Sequence, residues 1–396
     1  MKDILIASFD LEVGGVERSL INLLDHFDYS NYQVDLMLYR HQGDFLPLLT
    51  NQVKLINEIP QYTTFRKSIK EIAKERHFLI AITRLLSKWN ASLRGKLNNI
   101  TEPGNIQMQL MWKYTLPFLP HIEKEYDVAI SYLWPHDFVA KKVTAKKKIA
   151  WIHTDFSTIK TDIKIDREIW KRYDYIIAVS VACGEAFLEK HKELKEKVRV
   201  IENMTSPTLI RQLAQEQLDH PFMTDNRFKV LTVARLSHAK GIDLAIKALK
   251  KLKDKGYHDI AWYVVGYGGD EAKLKKLISS YGLESDFYLL GKQINPYPFM
   301  KTADLYAQPS RYEGKAVTVR EAQILAKPVL ITNYSTAISQ VIPGINGFIC
   351  DQSIEGIVTG IKRLYLNREQ LNRLSKNCAA SNYENRKELE KLYQLV

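Results

Sequence analysis

Short apolar runs, each ending in a turn or a helix-period segment, recur along the whole chain. Residues 3–9 (DILIASF) read as a buried strand, followed by the turn Gly14-Gly15, a helix from about Glu17 to His26 and a second strand at 33–39. Strand, glycine turn, helix, strand opens a βαβ unit, so the pattern predicts a parallel sheet. The runs at 127–133, 147–153 and 175–180 continue it, each apolar enough for a strand covered on both faces.

The series then restarts. Strands are predicted at 228–236, 260–266, 287–291, 304–310 and 327–332, with helices over 241–254, about 270–281 and about 316–325. Two successive runs of alternation indicate two similar α/β domains. The break falls at 203–207 (NMTSP), where turn formers cluster. The predicted domains are 1–204 and 205–375, and 376–396 is expected to return as a helix bracing the first domain. The first carries an insertion, about 61–125, with basic helices whose apolar positions are Ile69, Ile72, Ala73, Leu79, Ile80, Leu86, Leu93 and Leu97.

A chain of 396 residues, 45% hydrophobic and 26% charged, is long enough for two cores and too apolar for disorder. Its three cysteines, Cys183, Cys350 and Cys378, are too scattered for a disulfide framework or a zinc site, which suits a reducing compartment. Asp10 and Glu12 interrupt the first apolar run, so no secretory signal is read there. No apolar run approaches the roughly 20 residues of a spanning helix. The expected location is therefore cytoplasmic, either free or peripheral on a membrane.

The formal charge of +12 suits nucleic acid, acidic substrates and anionic membranes alike. Between Thr64 and Asn98 nine Lys/Arg stand against Glu71 and Glu75. Two readings stay open for this stretch: a solvated helix face over a satellite core, or a patch for an anionic membrane or acceptor. No nucleic-acid module or ordered aromatic interleaving accompanies the charge, which argues against a nucleic-acid partner.

Three segments carry candidate chemistry. In 233–241 (VARLSHAKG), Arg235 and Lys240 flank the turn after a strand, where ligands of open α/β sheets bind; a diphosphate needs such charges. In 264–274, Gly266, Gly268 and Gly269 stand between strand and helix and allow either a close ligand approach or simply a tight turn. In 309–332, Glu313 follows a strand and Glu321 lies about two turns into the next helix. The helix start near Lys315, Ala316 and Val317 presents backbone N–H groups to an anion. Carboxylates on either side of that start suit paired sugar hydroxyls, since each oxygen takes a separate O–H donor.

Arg235 and Lys240-Gly241, then the glycine turn, then Glu313-Gly314 and Glu321, in this order and spacing, resemble the family 4 glycosyltransferases of GT-B fold. The segments 14–18 (GGVER) and 151–155 (WIHTD) resemble that family's first glycine loop and its histidine segment, so the likeness runs along nearly the whole chain. The resemblance implies two Rossmann-like domains facing each other across a cleft. It implies transfer of a sugar, with retained configuration, from a nucleoside diphosphate (UDP is the expected one) to a hydroxyl of a glycan or lipid-linked acceptor. Bacterial surface-polysaccharide or wall-glycan assembly is the implied setting.

Carried over by position, Gly14 and Gly15 would approach the donor phosphates or acceptor, and His153 would stand by the transferred sugar. Arg235 and Lys240 would neutralise the departing diphosphate, and Glu313 would contact the sugar hydroxyls. Gly266, Gly314, Lys315, Ala316 and Val317 would line the donor, Glu321 would take the ribose diol, and Lys292, Gln293 and Ile294 would face the base. The resemblance implies no metal and no cofactor beyond the donor. Lys315-Ala316 and Lys327 stand where the family often carries other residues, which bears on donor identity. The alternatives are an epimerase or phosphorylase of the same architecture, or a non-catalytic basic protein that binds glycan or nucleic acid.

Overall fold

Every strand predicted from an apolar run is present in the computed structural model, which describes residues 1–97 and 104–396. In the first unit (1–12, 16–202 and 386–396) seven strands form one sheet. They are β1 (Lys2–Ser8), β2 (Tyr32–Leu38), β3 (Lys54–Leu55), β4 (Tyr126–Ser131), β5 (Ala145–Ile152), β6 (Tyr175–Ala178) and β7 (Val198–Val200). Their order is β3-β2-β1-β4-β5-β6-β7, all neighbours parallel, with Ile4 opposite both Val34 and Val128.

The second unit, 203–385 with 13–15, repeats the plan with six strands. These are β8 (Phe228–Val233), β9 (Ile260–Val265), β10 (Phe287–Gly291), β11 (Leu305–Gln308), β12 (Val329–Thr332) and β13 (Gly347–Cys350), in the order β10-β9-β8-β11-β12-β13. The edge strands β3, β7 and β13 were not predicted, being two to four residues long and too brief to leave a periodic signal.

Side-chain alternation divides the second unit's core between the two faces of its sheet. Val230, Trp262, Val264, Leu305, Ala307 and Leu330 pack with the helices Ile242–Asp254 and Ile354–Leu366. Leu231, Tyr263, Val265, Tyr306, Val329 and Ile331 point the other way, toward Val319 and Ala322 of the helix Val317–Ile324. Covering both faces with helices is what places apolar residues on both sides of these strands. The two units have the GT-B fold.

At the C-terminal end, the helix Arg368–Ala380 belongs to the second unit, where Leu371 and Leu374 enter the core. The helix Lys387–Tyr393 belongs to the first; its Tyr393 ring stacks on Tyr32 at 5.0 Å, and its hydroxyl accepts from the Asp28 amide.

The insertion holds more than one helix. Its apolar positions do not form one stripe: a short helix, Ile69–Lys74, turns into a separate long one, Phe78–Leu97. Ile72 and Ile80 are buried, whereas Leu79, Leu86 and Leu93 are exposed. A small satellite core exists beneath it, built from Ala91, Ile106, Leu110 and Ile165. The predicted insertion (61–125) and basic patch (64–98) run into 98–103, which lie outside the described residues, as do the side chains of Lys96 and Leu97.

Candidate functional site

β8 is where the second sheet reverses its strand order, with β9 and β10 to one side and β11 to β13 to the other. Connections leaving β8 and β11 run to opposite faces, so their first residues diverge and leave a crevice at the carboxyl edge. Lys240 closes the short turn His238–Lys240 after β8, and Glu313 lies in the loop after β11.

Backbone contacts fix these two loops to each other. Gly241 has φ +65°, and a Cβ there would stand 1.9 Å from the Pro309 carbonyl oxygen. The Arg311 amide donates to the Ala239 carbonyl at 2.7 Å. Its guanidinium grips Asp243 through two bonds of 2.8 and 2.7 Å and also reaches the His238 carbonyl. Gly266 and Gly268 serve the same end: a Cβ at either position would collide with the β8 loop, at 1.9 Å from the Ala234 oxygen and 2.4 Å from the Leu236 oxygen respectively. Their lack of a Cβ is needed for loop-on-loop packing, the plainer of the two sequence readings.

Glu313 is 7% exposed and heavily engaged. Its Oε1 accepts from Lys240 Nζ at 2.7 Å, Ser310 Oγ at 2.7 Å and Gln308 Nε2 at 3.0 Å. Its Oε2 accepts from Lys240 alone, at 2.6 Å, so this oxygen keeps lone-pair capacity for a ligand hydroxyl. Thr336 Oγ1 secures the Glu313 carbonyl at 2.9 Å.

Glu321, 3% exposed, lies in the helix Val317–Ile324, and its Oε1 accepts from the Tyr297 hydroxyl at 2.8 Å. The helix begins at Ala316 without a side-chain cap. An uncapped first turn presents N–H dipoles that favour an anion. Tyr306 braces the same helix, its hydroxyl lying 2.7 Å from Thr318 Oγ1 and 2.6 Å from Gln308 Oε1. Arg235 follows β8 and is exposed. After β10, Lys292 Nζ stands over the Tyr267 ring, Gln293 Nε2 reaches back to the Leu290 carbonyl, and Ile294 is exposed.

Of the predicted residues, Arg235, Lys240, Gly266, the 292–294 loop, 313–317 and Glu321 thus share the carboxyl edge of one sheet. Gln308, Ser310, Tyr297 and the Arg311–Asp243 brace were missed. Ser310 and Gln308 could have been read from their position at a strand end just before Glu313; Tyr297 and Asp243 come from elements that sequence order alone does not bring near.

Gly14 and Gly15 group with the second unit, although Gly15 opens the helix Gly15–Asp25, whose remaining residues belong to the first; within the first unit His153 directly follows β5. The His153 ring lies 4.6 Å from that of Tyr132. Burial lowers its pKa to about 3, so it is neutral at physiological pH and suited to hydrogen bonding, not to carrying charge. A second buried histidine went unnoticed in the sequence: His136, whose Nδ1 lies 2.7 Å from Ser131 Oγ and whose pKa burial likewise brings down to about 3. Among the described residues no three His, Cys, Asp or Glu side chains gather so as to hold a metal ion.

Residues 215–380 match the family model described as glycosyl transferases group 1. A Haemophilus influenzae protein named as an uncharacterized glycosyltransferase is 30% identical over 370 residues, covering 90% of this chain and 88% of that one. A Methanocaldococcus jannaschii protein of similar name is 31% identical over 168 residues, 42% of this chain. The chain spans only 41% of that archaeal relative and 57% of a second. Among solved structures, Anabaena HepE in complex with UDP-glucose superposes with a TM-score of 0.69 at 19% identity, over the full length of both chains. The sequence likeness to the Haemophilus protein extends over nearly all of both chains, and on it the chain belongs to the glycosyltransferases, with a group 1 domain at 215–380.

Proposed function

We propose that the chain is a retaining hexosyltransferase of the family 4 type. It takes a sugar from a UDP-sugar and transfers it to a hydroxyl of a glycan or lipid-linked acceptor. The observation that carries the proposal is the pair Glu313 and Glu321, one at each side of an uncapped helix start, with Lys240 bonded to the first. Glu313 Oε2 takes a hydroxyl of the transferred sugar, Glu321 takes the ribose diol, and the helix start with Lys240 and Arg235 meets the diphosphate.

As the bond between C1 and the phosphate oxygen breaks, negative charge grows on the diphosphate. Preorganised donors placed there lower the barrier because they need no reorganisation when that charge appears. The acceptor oxygen bonds to C1 on the face the phosphate leaves, and its proton passes to the departing phosphate oxygen. No enzymic nucleophile or metal enters this scheme, and neutral His153 contributes a hydrogen bond to the sugar.

Shorter matches support the setting. Proteins named for O-antigen biosynthesis in Escherichia coli and for capsular polysaccharide biosynthesis in Staphylococcus aureus are 35% and 26% identical over 25% and 55% of this chain. We assign this chain to bacterial surface-glycan assembly at the cytoplasmic side of the membrane. The test is calorimetry with UDP, GDP, ADP and CDP and their common sugars, followed by NMR of the product. Selective binding of UDP and an α-linked product from an α-linked donor would support the reading; binding of none at millimolar concentration, or an inverted product, would sink it.

A further inference from the structure

The helix Phe78–Leu97 turns much of its apolar surface outward. A helix lying on a globular protein turns its apolar stripe inward and its polar face to water. Here Ile80, Ala81 and Ala91 are buried, but several polar side chains share that inward face. Thr83 Oγ1 bonds Thr115 Oγ1 at 2.8 Å, Asn90 Nδ2 donates to the Tyr114 hydroxyl at 2.8 Å, and Arg84 donates to the Thr64 carbonyl at 2.8 Å. Ser87 is wholly buried, and Arg94 pairs with Asp162 at 2.5 Å. Facing outward instead are Phe78, Ile82, Leu85, Leu86, Trp89 and Leu93, with Trp89 65% exposed. Their spacing of three and four residues makes them one continuous stripe.

The charges around this stripe are of one sign. Lys88 is exposed on the same helix, and Lys70, Lys74 and Arg76 are exposed on or just after the helix Ile69–Lys74, which packs against it. The two acids of the stretch are engaged locally, Glu71 in a capping box with Ser68 and Glu75 with Lys67. A second copy docking through this face would bring the same cations together, whereas anionic headgroups neutralise them. From Phe78 to Leu93 the stripe runs about 23 Å at the helical rise per residue. Among the described residues no helix is long and apolar enough to cross a membrane.

We infer that this face docks on an anionic phospholipid surface, the helix lying in the interface with Trp89 and Leu85 among the acyl chains and the lysines at the headgroups. The inference rests on the peripheral location proposed above and names the side chains that produce it.

The experiment uses the full chain with vesicles of phosphatidylcholine alone and of an equimolar phosphatidylcholine–phosphatidylglycerol mixture. Wild type should sediment with the mixed vesicles, weakly with the neutral ones, and Leu85→Asn/Trp89→Asn should lose roughly tenfold in partitioning. Because both positions are exposed, the variant's melting temperature and UDP affinity should be unchanged, which separates failure here from failure of the donor assignment. Brominated lipid should quench Trp89 fluorescence, and Trp89→Phe should remove that quenching while keeping vesicle binding. Equal sedimentation of variant and wild type, no preference for the anionic vesicles, or a wild-type dimer that the double variant dissociates would each overturn the inference.

Discussion

Lys240 Nζ stands 2.7 and 2.6 Å from the two carboxylate oxygens of Glu313. The cation assigned to the diphosphate and the carboxylate assigned to the sugar are therefore one hydrogen-bonded unit. Ser310 and Gln308 hold Glu313 from beneath, so the carboxylate positions the lysine more than the reverse.

This coupling predicts that the two residues will not act additively. Lys240→Ala and Glu313→Gln should each lower kcat by about a hundredfold or more, the scale seen when one preorganised charge-stabilising group is lost. The double variant should be little worse than either single one. Released nucleoside diphosphate, followed for all four proteins, measures the cycle; strictly multiplicative losses would show that the pair works as two separate groups.

The glycine contacts predict a contrast between neighbours. Gly266→Ala places a methyl 1.9 Å from the Ala234 oxygen at φ +149°, whereas Gly269→Ala meets nothing within 4 Å. Thermal melting should show Gly266→Ala destabilised by about 2 kcal/mol or more and Gly269→Ala within about 0.5 kcal/mol of wild type. Equal melting temperatures would mean the β8 loop yields easily.

Glu321→Ala should weaken UDP binding at least tenfold by calorimetry, since the loss of a charged hydrogen-bonding partner costs about 1.5–3 kcal/mol. Tyr297→Phe removes the bond that steadies Oε1 and leaves the carboxylate in place, so its loss should be smaller. If Tyr297→Phe proved the more damaging, the tyrosine and not the carboxylate would be the ligand contact.

Strands were legible because the central strands put apolar residues on both faces, leaving short apolar runs in the sequence, unbroken in Ile260–Val265. The placement of Glu313, Arg235 and Lys240 at the sheet's carboxyl edge was legible because each follows a strand, and that of Glu321 because it lies inside the helix after β11. The supports were not: Tyr297 and Asp243 reach the site from different helices, and nothing local marks them. The insertion was left with two open readings for a related reason. Its apolar residues signal a helix face but not which way that face points, and here Thr83, Ser87 and Asn90 take the inward positions.

The first unit carries a pH signature of its own. Asp137, at the start of the helix Asp137–Lys142, is buried, and burial, reinforced by the Asp166 charge despite Lys141, raises its pKa from 3.8 to about 7. The folded state thus holds this proton more tightly than the unfolded one. Its contribution is complete below about pH 4 and is lost as pH rises toward 7, on the order of a few kcal/mol. Asp137→Asn should remove that slope, so the variant should gain melting temperature over wild type between pH 5 and 8. Parallel curves would mean Asp137 ionises without strain in the folded protein.

The bare main chain at Gly241, Gly266 and Gly268 leaves the rim around β8 no freedom to vary, since any side chain there strikes a neighbouring carbonyl or its backbone. A substitution that reshapes this edge without displacing the backbone must therefore fall outside these three positions. The three glycines act as fixed points of the second unit's carboxyl edge, to which every other substitution in that edge must accommodate itself.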